Sequence, residues 1–497
     1  MTEIIFCVPY IYRMIATSLP KKILSAPEGA LSQGVESQWV RVFPSNVQSI
    51  TSGQISFPTT ADASLNNIAF PVVPVRFSIP CGQKGAYVDP ARSRLNFRVN
   101  YQVNTTFVGT TDVSGFLMGS CLSFWDRLTH LNANGAAIDD ETGLAVIELQ
   151  KQLWSCNNAE RDSMAQIFGY GFENGTQSRK IQGHAITSYT AALPAAGNGY
   201  YQYSVPLPSS LIGAGAKNMC PLHKIAKLDV ELSTAALLPV SFVAAGTASA
   251  GAFTVTIDQI SIDLHVVYLD DKSIAMLPDA AQSFVHGITY RSSTGTIPSS
   301  TQGQTSILMG LRGQSVRSIA TRISEQALTT AGSANNVFDA KLPLTSQLDY
   351  WLQGKVRVPP APHNTQLAPA TVFNSAMQAA EAFTQKEFRF AGVPTHFNKY
   401  CKVATAPTAA LGYDQIVVNA GSTTSQTDLA CACFAEDLRK VSTSSIMDGL
   451  NLSLNANNYL ELNLLGGGNS AGWDLRFIAA MDIIYVIGAD GNIESRY

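Results

Sequence analysis

Few residues in this sequence have the types and spacing that chemistry requires. The nearest approach to a G-x-S-x-G nucleophile elbow is Gly313-Gln314-Ser315-Val316-Arg317, where Arg317 occupies the place of the second glycine, so the segment reads as a turn. No H-E-x-x-H, P-loop or dinucleotide fingerprint occurs. The histidines (His130, His184, His223, His265, His286, His363, His396) are dispersed without metal-ligand spacing, and His265 and His286 sit in strand-like runs as structural residues. Adjacent carboxylates at Asp139 and Asp140 point to opposite faces of a strand, and Asp140 reads better as a helix cap. Gly488 to Ser495 lacks the acidic spacing of a calcium loop and reads as a turn. Asn104 and Asn174 head glycosylation sequons that matter only on a secreted chain. These residues assign no catalytic, cofactor-binding or metal site and no cofactor, and the chain reads as a non-enzyme.

The elements must therefore serve something other than turnover. The chain has 497 residues, 46% of them hydrophobic and only 14% charged, against about 25% charged in ordinary soluble proteins. A polar but uncharged surface suits a protein packed against copies of itself, where each buried charge needs a partner. Net charge is −3, so no long-range field draws the chain onto nucleic acid, and no direct sequence-specific nucleic-acid binding is expected. Eight cysteines (Cys7, Cys81, Cys121, Cys156, Cys220, Cys401, Cys431, Cys433) lack zinc-knuckle spacing and read as buried free thiols in a reducing compartment. No apolar run reaches membrane-spanning length. The acidic n-region and interruptions at Pro9 and Arg13 make residues 1–36 an N-terminal arm rather than a signal peptide, with Met14 an alternative start.

Strand patterns fill the rest. In Leu95 to Asn104, Leu95, Phe97, Val99, Tyr101 and Val103 face one way, and polar residues face the other. Val73 to Ile79, Ile288 to Ser292 and Asn458 to Leu465 repeat the period, separated by Pro, Gly and Asn clusters. Helical pattern is confined to three places. One follows Asp140 and Thr142, its available caps, with Val146, Leu149 and Leu153 on one face. A second spans residues 158–169. The third has Pro369 in its first turn and Phe373, Ala376, Ala380 and Phe383 in one stripe.

Landmarks recur. A hairpin pivoting on Asn134-Gly135, expected to place both residues at positive φ, is matched by a strand–Gly354–strand segment. The two glycines lie 219 residues apart (354 − 135). Tyr268 and Tyr485, in the apolar strands that close each half, lie 217 apart (485 − 268). Each hairpin is followed by a helix, so the chain reads as a tandem duplication. The expected fold is all-β, two tandem eight-stranded jelly-roll β-sandwich barrels with a few short helices in connections. The first spans residues 37–272, the second 284–497, with a polar linker over 273–283.

The order of these features, Gln38 to Pro58, Ala86 to Val103, Phe124 to Asp140, Tyr200 to Gly213, His223 to Ser233 and Ile260 to Asp271, resembles the double jelly-roll major capsid proteins of the PRD1/adenovirus lineage, the virophage and polinton-like type. The resemblance covers residues 37 to 497. It implies a homotrimer whose six barrels form a pseudo-hexagon, and contacts with neighbouring capsomers and with minor or penton capsid proteins. The shell would be icosahedral around a DNA genome, in a virion assembled inside the infected host cell, with or without an internal membrane beneath it. Residues 405–428 and 243–252 would then be outward loops or lattice contacts. An alternative is a secreted or surface carbohydrate-binding or adhesin β-sandwich, which calls for aromatics clustered on exposed loops. Trp39, Trp125, Trp154, Trp351 and Trp473 fall mostly inside patterned elements.

Overall fold

The computed structural model describes residues 35–46, 55–57, 72–103, 113–118, 121–155, 182–189, 198–235, 240–244, 253–275, 277, 283–299, 301–325, 345–364, 369–384, 433–440, 448–453, 457–464 and 472–496. Residues 1–34 of the expected arm, the expected helix 158–169, residues 245–252 and 405–428, both sequon asparagines, His396 and Cys7, Cys156, Cys401 and Cys431 lie outside the described residues.

The first half supplies β1 (Val35–Val42), β2 (Ile55–Phe57), β3 (Pro74–Ile79), β4 (Ala86–Val103), β5 (Val113–Met118), β6 (Trp125–Leu131), β7 (Ala137–Thr142), α1 (Leu144–Ser155), β8 (Gln182–Tyr189), β9 (Asn198–Pro206), β10 (Leu228–Thr234), β11 (Val240–Ala244) and β12 (Phe253–Leu269). Helix α2 (Asp271–Ala275) follows. The second half supplies β13 (Phe284–Ile297), β14 (Gly303–Leu308), β15 (Val316–Glu325), β16 (Thr345–Leu352), β17 (Val356–His363), α3 (Pro369–Thr384), β18 (Phe434–Asp437), β19 (Tyr459–Leu464), β20 (Trp473–Ile487) and β21 (Ile493–Arg496).

In the first half one sheet runs β1-β12-β4-β9 and the other β3-β10-β6-β7. In the second they run β13-β20-β15-β18 and β14-β19-β16-β17. With each half's eight sandwich strands counted in chain order, both halves give the same permutation, 1-8-3-6 facing 2-7-4-5. That is the jelly roll, made twice. Because the chain reverses at each connection, every odd-to-even connection leaves from one end of the sandwich. In the first half three of these connections carry β5, β8 and β11, which pair into a separate sheet in the order β11-β5-β8.

The alternating runs fold as their period dictates. Leu95, Phe97 and Val99 of β4 and Val75 and Phe77 of β3 are fully buried, as only a strand with one face on a core requires. On β20 the alternation breaks down, because Phe477, Ile478, Ala479, Ala480, Met481 and Asp482 are all buried. Its second face lies under α3, whose Ala376, Ala380 and Phe383 join Ile478 and Ala480 in one core. Pro369 opens α3 as expected.

Two local expectations need correction. Only Gly135 (φ +75) is left-handed in the first hairpin; Asn132 closes that turn by accepting from the backbone N–H of Asn134 and Ala136, each at 3.0 Å. The paired positive φ occurs in the second hairpin, at Gln353 (φ +56) and Gly354 (φ +65). Nor does Asp140 or Thr142 cap α1. Asp140 is a strand residue held by Arg127 at 2.6 and 2.7 Å, and Thr142 Oγ1 donates to the Ser292 carbonyl. The helix instead starts on the carbonyl of Gly143, which accepts from Val146 and Ile147.

Candidate assembly interface

The two barrels meet in a junction to which both halves contribute backbone, core and charged side chains. Strand β7 and the connection between β9 and β10 (residues 207–227) come from the first barrel; β13, β20 and β21 come from the second. Backbones touch directly. Ala216 bridges Gly287, the Ile288 N–H donates to the Gly215 carbonyl at 2.8 Å, and the Lys217 N–H donates to the His286 carbonyl at 2.7 Å. A Cβ at Gly287 would collide with the Ser210 carbonyl, and one at Gly215 would stand 2.7 Å from the Ile288 carbonyl, so only glycine permits this approach.

Side chains seal the junction. Val285, Ile483, Tyr485, Ile487 and Ile493 of the second half sit in the core cluster of the first barrel, with Leu211, Ile212 and Ile225. In exchange α1, which follows β7, buries Ala145, Val146, Ile147 and Trp154 in the core of the second barrel. Trp154 meets Phe383 edge-on at 5.2 Å between ring centroids, and Gln150 Oε1 accepts from Arg322 at 2.6 Å.

At the centre is Asp139 of β7, 1% exposed. Its Oδ2 accepts from Ser210 Oγ at 2.7 Å and from the Tyr485 hydroxyl at 2.8 Å; its Oδ1 accepts from Arg291 Nη2 at 2.8 Å and Thr289 Oγ1 at 3.0 Å. Three of these four donors belong to the other barrel. Burial pushes the Asp139 carboxyl up, but the Arg291 guanidinium, His130 and the Ser210 and Tyr485 hydroxyls outweigh it and hold the group below its ordinary range. Glu141, two residues on, shares Thr289 with Asp139 at 3.2 Å. Burial, and then the neighbouring Asp139 charge, pushes its carboxyl up to about 8. A second acid works in the reverse sense. Asp482 of β20 accepts from Ser315 Oγ at 2.9 Å and Arg317 Nη1 at 3.2 Å in its own barrel, and from Lys217 Nζ of the first barrel at 3.4 Å. Burial opposes its ionisation, yet His286, Arg317, Lys217 and Ser315 bring it down to about 2.

One arrangement resembles hydrolytic chemistry: His130 Nε2 lies 2.7 Å from Ser209 Oγ, and His130 Nδ1 lies 3.9 Å from Asp139 Oδ2. The distance to Asp139 is too long for the hydrogen bond that would fix the imidazole. Ser209 Oγ also accepts from the N–H groups of Leu211 and Ile212 at 3.2 and 3.0 Å, which ties the hydroxyl into its own turn. Ser209 and His130 have no accessible surface, and burial lowers His130 to about 4, so the ring is neutral. The three residues hold the 207–227 connection in place against β6.

The sequence-stressed residues mostly settle into structural roles. Asp139 and Asp140 do face opposite ways. Ser315 and Arg317 of the rejected elbow both serve Asp482. His265 pairs with Asp89 at 3.4 Å and packs on Trp39, and His286 reaches Asp482 at 3.4 Å. Cys121 and Cys220 are buried free thiols, Cys433 is buried with its sulfur 3.8 Å from Gln150 Nε2, and burial pushes half-exposed Cys81 up to about 12. Among the described residues no group of three or more metal-ligating side chains is positioned to hold an ion. Sequence reasoning missed Ser210, Thr289 and Arg291, each of which sits in a strand or turn with no local signature.

No protein-family model and no curated protein matches the chain. Among solved structures it is similar to the Faustovirus major capsid protein, at 10% identity over 96% of this chain and 98% of that one with a TM-score of 0.49. It is likewise similar to the PBCV-1 virus capsid (11%, 93% and 97%, 0.48) and the mavirus major capsid protein (12%, 100% and 97%, 0.41). At these identities the likeness concerns the fold.

Proposed function

We propose that this chain is the major capsid protein of an icosahedral DNA virus, assembling as homotrimers in which six barrels approximate a hexagon. The observation that carries the reading is internal. One chain makes the same eight-strand permutation twice and joins the copies through a head-to-tail junction, the β7 side of one against the β13 side of the next. A contact between unlike surfaces can be repeated, and it closes into a ring when the rotation allows. Linking two barrels covalently also removes one association step, whose entropic cost is about 4–15 kcal/mol.

On this reading residues 37–272 and 284–497 are two near-equivalent tiles, with Val35 and Glu36 of the expected arm joining the first through β1, 273–283 is the linker, and 1–34 an arm available to neighbours. The β11-β5-β8 sheet crowns one end of the first barrel, where an outer shell surface would be. Neighbouring capsomers and minor or penton proteins supply the remaining contacts. With a net charge of −3 the shell leaves neutralisation of the genome to other molecules. The adhesin reading gains nothing from Trp125 and Trp154, which are fully buried.

The test is mass in solution and imaging. Particles of three times the chain's 53.2 kDa by light scattering, or shells and hexagonal plates by electron microscopy, are expected. A monodisperse monomer at every concentration, above all one that binds a glycan, would overturn the proposal.

A further inference from the structure

The junction inside the chain also identifies the surfaces left open at its two ends. Tyr268 and Tyr485 occupy the same place in their barrels, since each pairs with the second residue of its half's first strand, Glu36 of β1 and Val285 of β13. Their surroundings differ. Tyr485 has no accessible surface, and its hydroxyl donates to Asp139 of the adjoining barrel. Among the described residues the Tyr268 hydroxyl finds only Gln38 and Gln83 of its own barrel, at 2.5 and 2.7 Å, and the ring stays half-buried. The flanking strands divide in the same way. Along β13, Val285, Ile288, Thr289 and Tyr290 are buried beneath the first barrel and α1; along β1, residues 36–39 are exposed, with Trp39 at 53%, and Phe43 just beyond at 66%.

At the opposite end, β7 is mostly covered by the second barrel, whereas its counterpart β17 is uncovered along most of its length, Val356 being 41% exposed. Trp39, Phe43 and Val356 are three of the six large apolar side chains exposed among the described residues. Both open surfaces are thus the counterparts of the two that are sealed within the chain. β17 carries Pro359 and Pro360, which withhold backbone donors, so a partner must meet it through side chains rather than by adding a strand.

Resting on the trimer reading above, we infer that the β1 edge of one copy, with Gln38, Trp39, Phe43 and Tyr268, is covered by β17 and the described parts of the 438–458 connection of a second copy. The relation is the one by which β7 and residues 207–227 cover β13 and Tyr485. The occupant is a second copy because, among the described residues, the two barrels leave one unmatched surface of each kind, and each is complementary in position to the other.

A photoreactive p-benzoyl-phenylalanine in place of Trp39 tests this on the full chain. Irradiation of the assembled protein should give a band at twice the chain's 53.2 kDa, and peptide mapping should place the link within 356–363 or 438–458. In parallel, Trp39→Glu with Phe43→Glu should convert trimer to monomer while leaving the circular dichroism of the chain unchanged. Links that map elsewhere, or a double variant that stays trimeric, would overturn this inference and leave the capsid reading standing. A wild-type chain that never forms trimers would overturn both.

Discussion

The Tyr485 hydroxyl donates to Asp139 Oδ2 across 2.8 Å, and the two residues are 346 positions apart in different barrels. That bond sits where two cores have merged. Ile483 and Tyr485 complete the first core, while Trp154 and Ile147 complete the second. The barrels are similar tiles by topology, but neither is sealed without the other.

Expressed separately, neither half should therefore be a stable monomer. The first would expose the apolar surface that Val285, Ile483 and Tyr485 cover, and the second would lose the helix that carries Trp154. Thermal unfolding of the intact chain, followed by calorimetry, should show one transition rather than two.

Trp154→Ala should cost about 3–5 kcal/mol, the usual penalty for emptying a large buried aromatic site. Chemical denaturation is the direct measurement. Loss from both barrels together, seen by hydrogen exchange at β6 and at β15, would confirm that α1 belongs to both.

Arg291→Met should destabilise by about 3–5 kcal/mol, because it strands the Asp139 carboxylate inside the junction. Tyr485→Phe removes one donor and leaves the ring in place, so its cost should be smaller, about 1–3 kcal/mol. Replacing Asp139 and Arg291 together with apolar residues should recover part of the loss, which a double-mutant cycle would measure.

The pH dependence has two opposing parts. Glu141, ordinarily near 4.5, sits at about 8 when folded, so the folded state binds more protons between those values and stability falls as pH rises through them. His130, ordinarily 6.5, sits at about 4 when folded, so stability rises with pH over that interval. The two offset each other below 6.5, and the Glu141 effect stands alone from 6.5 to 8. Glu141→Gln should flatten the melting temperature across that upper interval; a variant with the wild-type slope would exclude Glu141 as its cause. Asp482, at about 2, contributes stability above its ordinary 3.8 that is lost only as pH falls through 2.

The duplication was legible in the sequence because its markers are local. A glycine required at a hairpin, an apolar closing strand and a helix after the hairpin each show within a dozen residues. The two first strands, β1 and β13, begin 249 residues apart (284 − 35), against 219 and 217 for the later landmarks, so the first half carries extra chain before its hairpin. Part of that excess holds β2 and β5, which have no named counterparts among the described residues of the second half. The junction was not legible. Asp139 is one of two consecutive aspartates on a short strand, and nothing nearby marks it as the acceptor for residues 150 and 346 positions on. Contacts between different elements leave no period, and without aligned relatives they leave no covariation.

Helix α1 has one further consequence. Because the first barrel's own helix fills part of the second barrel's core, neither repeat is a free-standing unit, and loss of either half would leave the other with an open core. The fusion works as a ratchet. Changes confined to the connections of one repeat, such as those that carry the β11-β5-β8 sheet, leave the junction intact, whereas dropping a repeat does not.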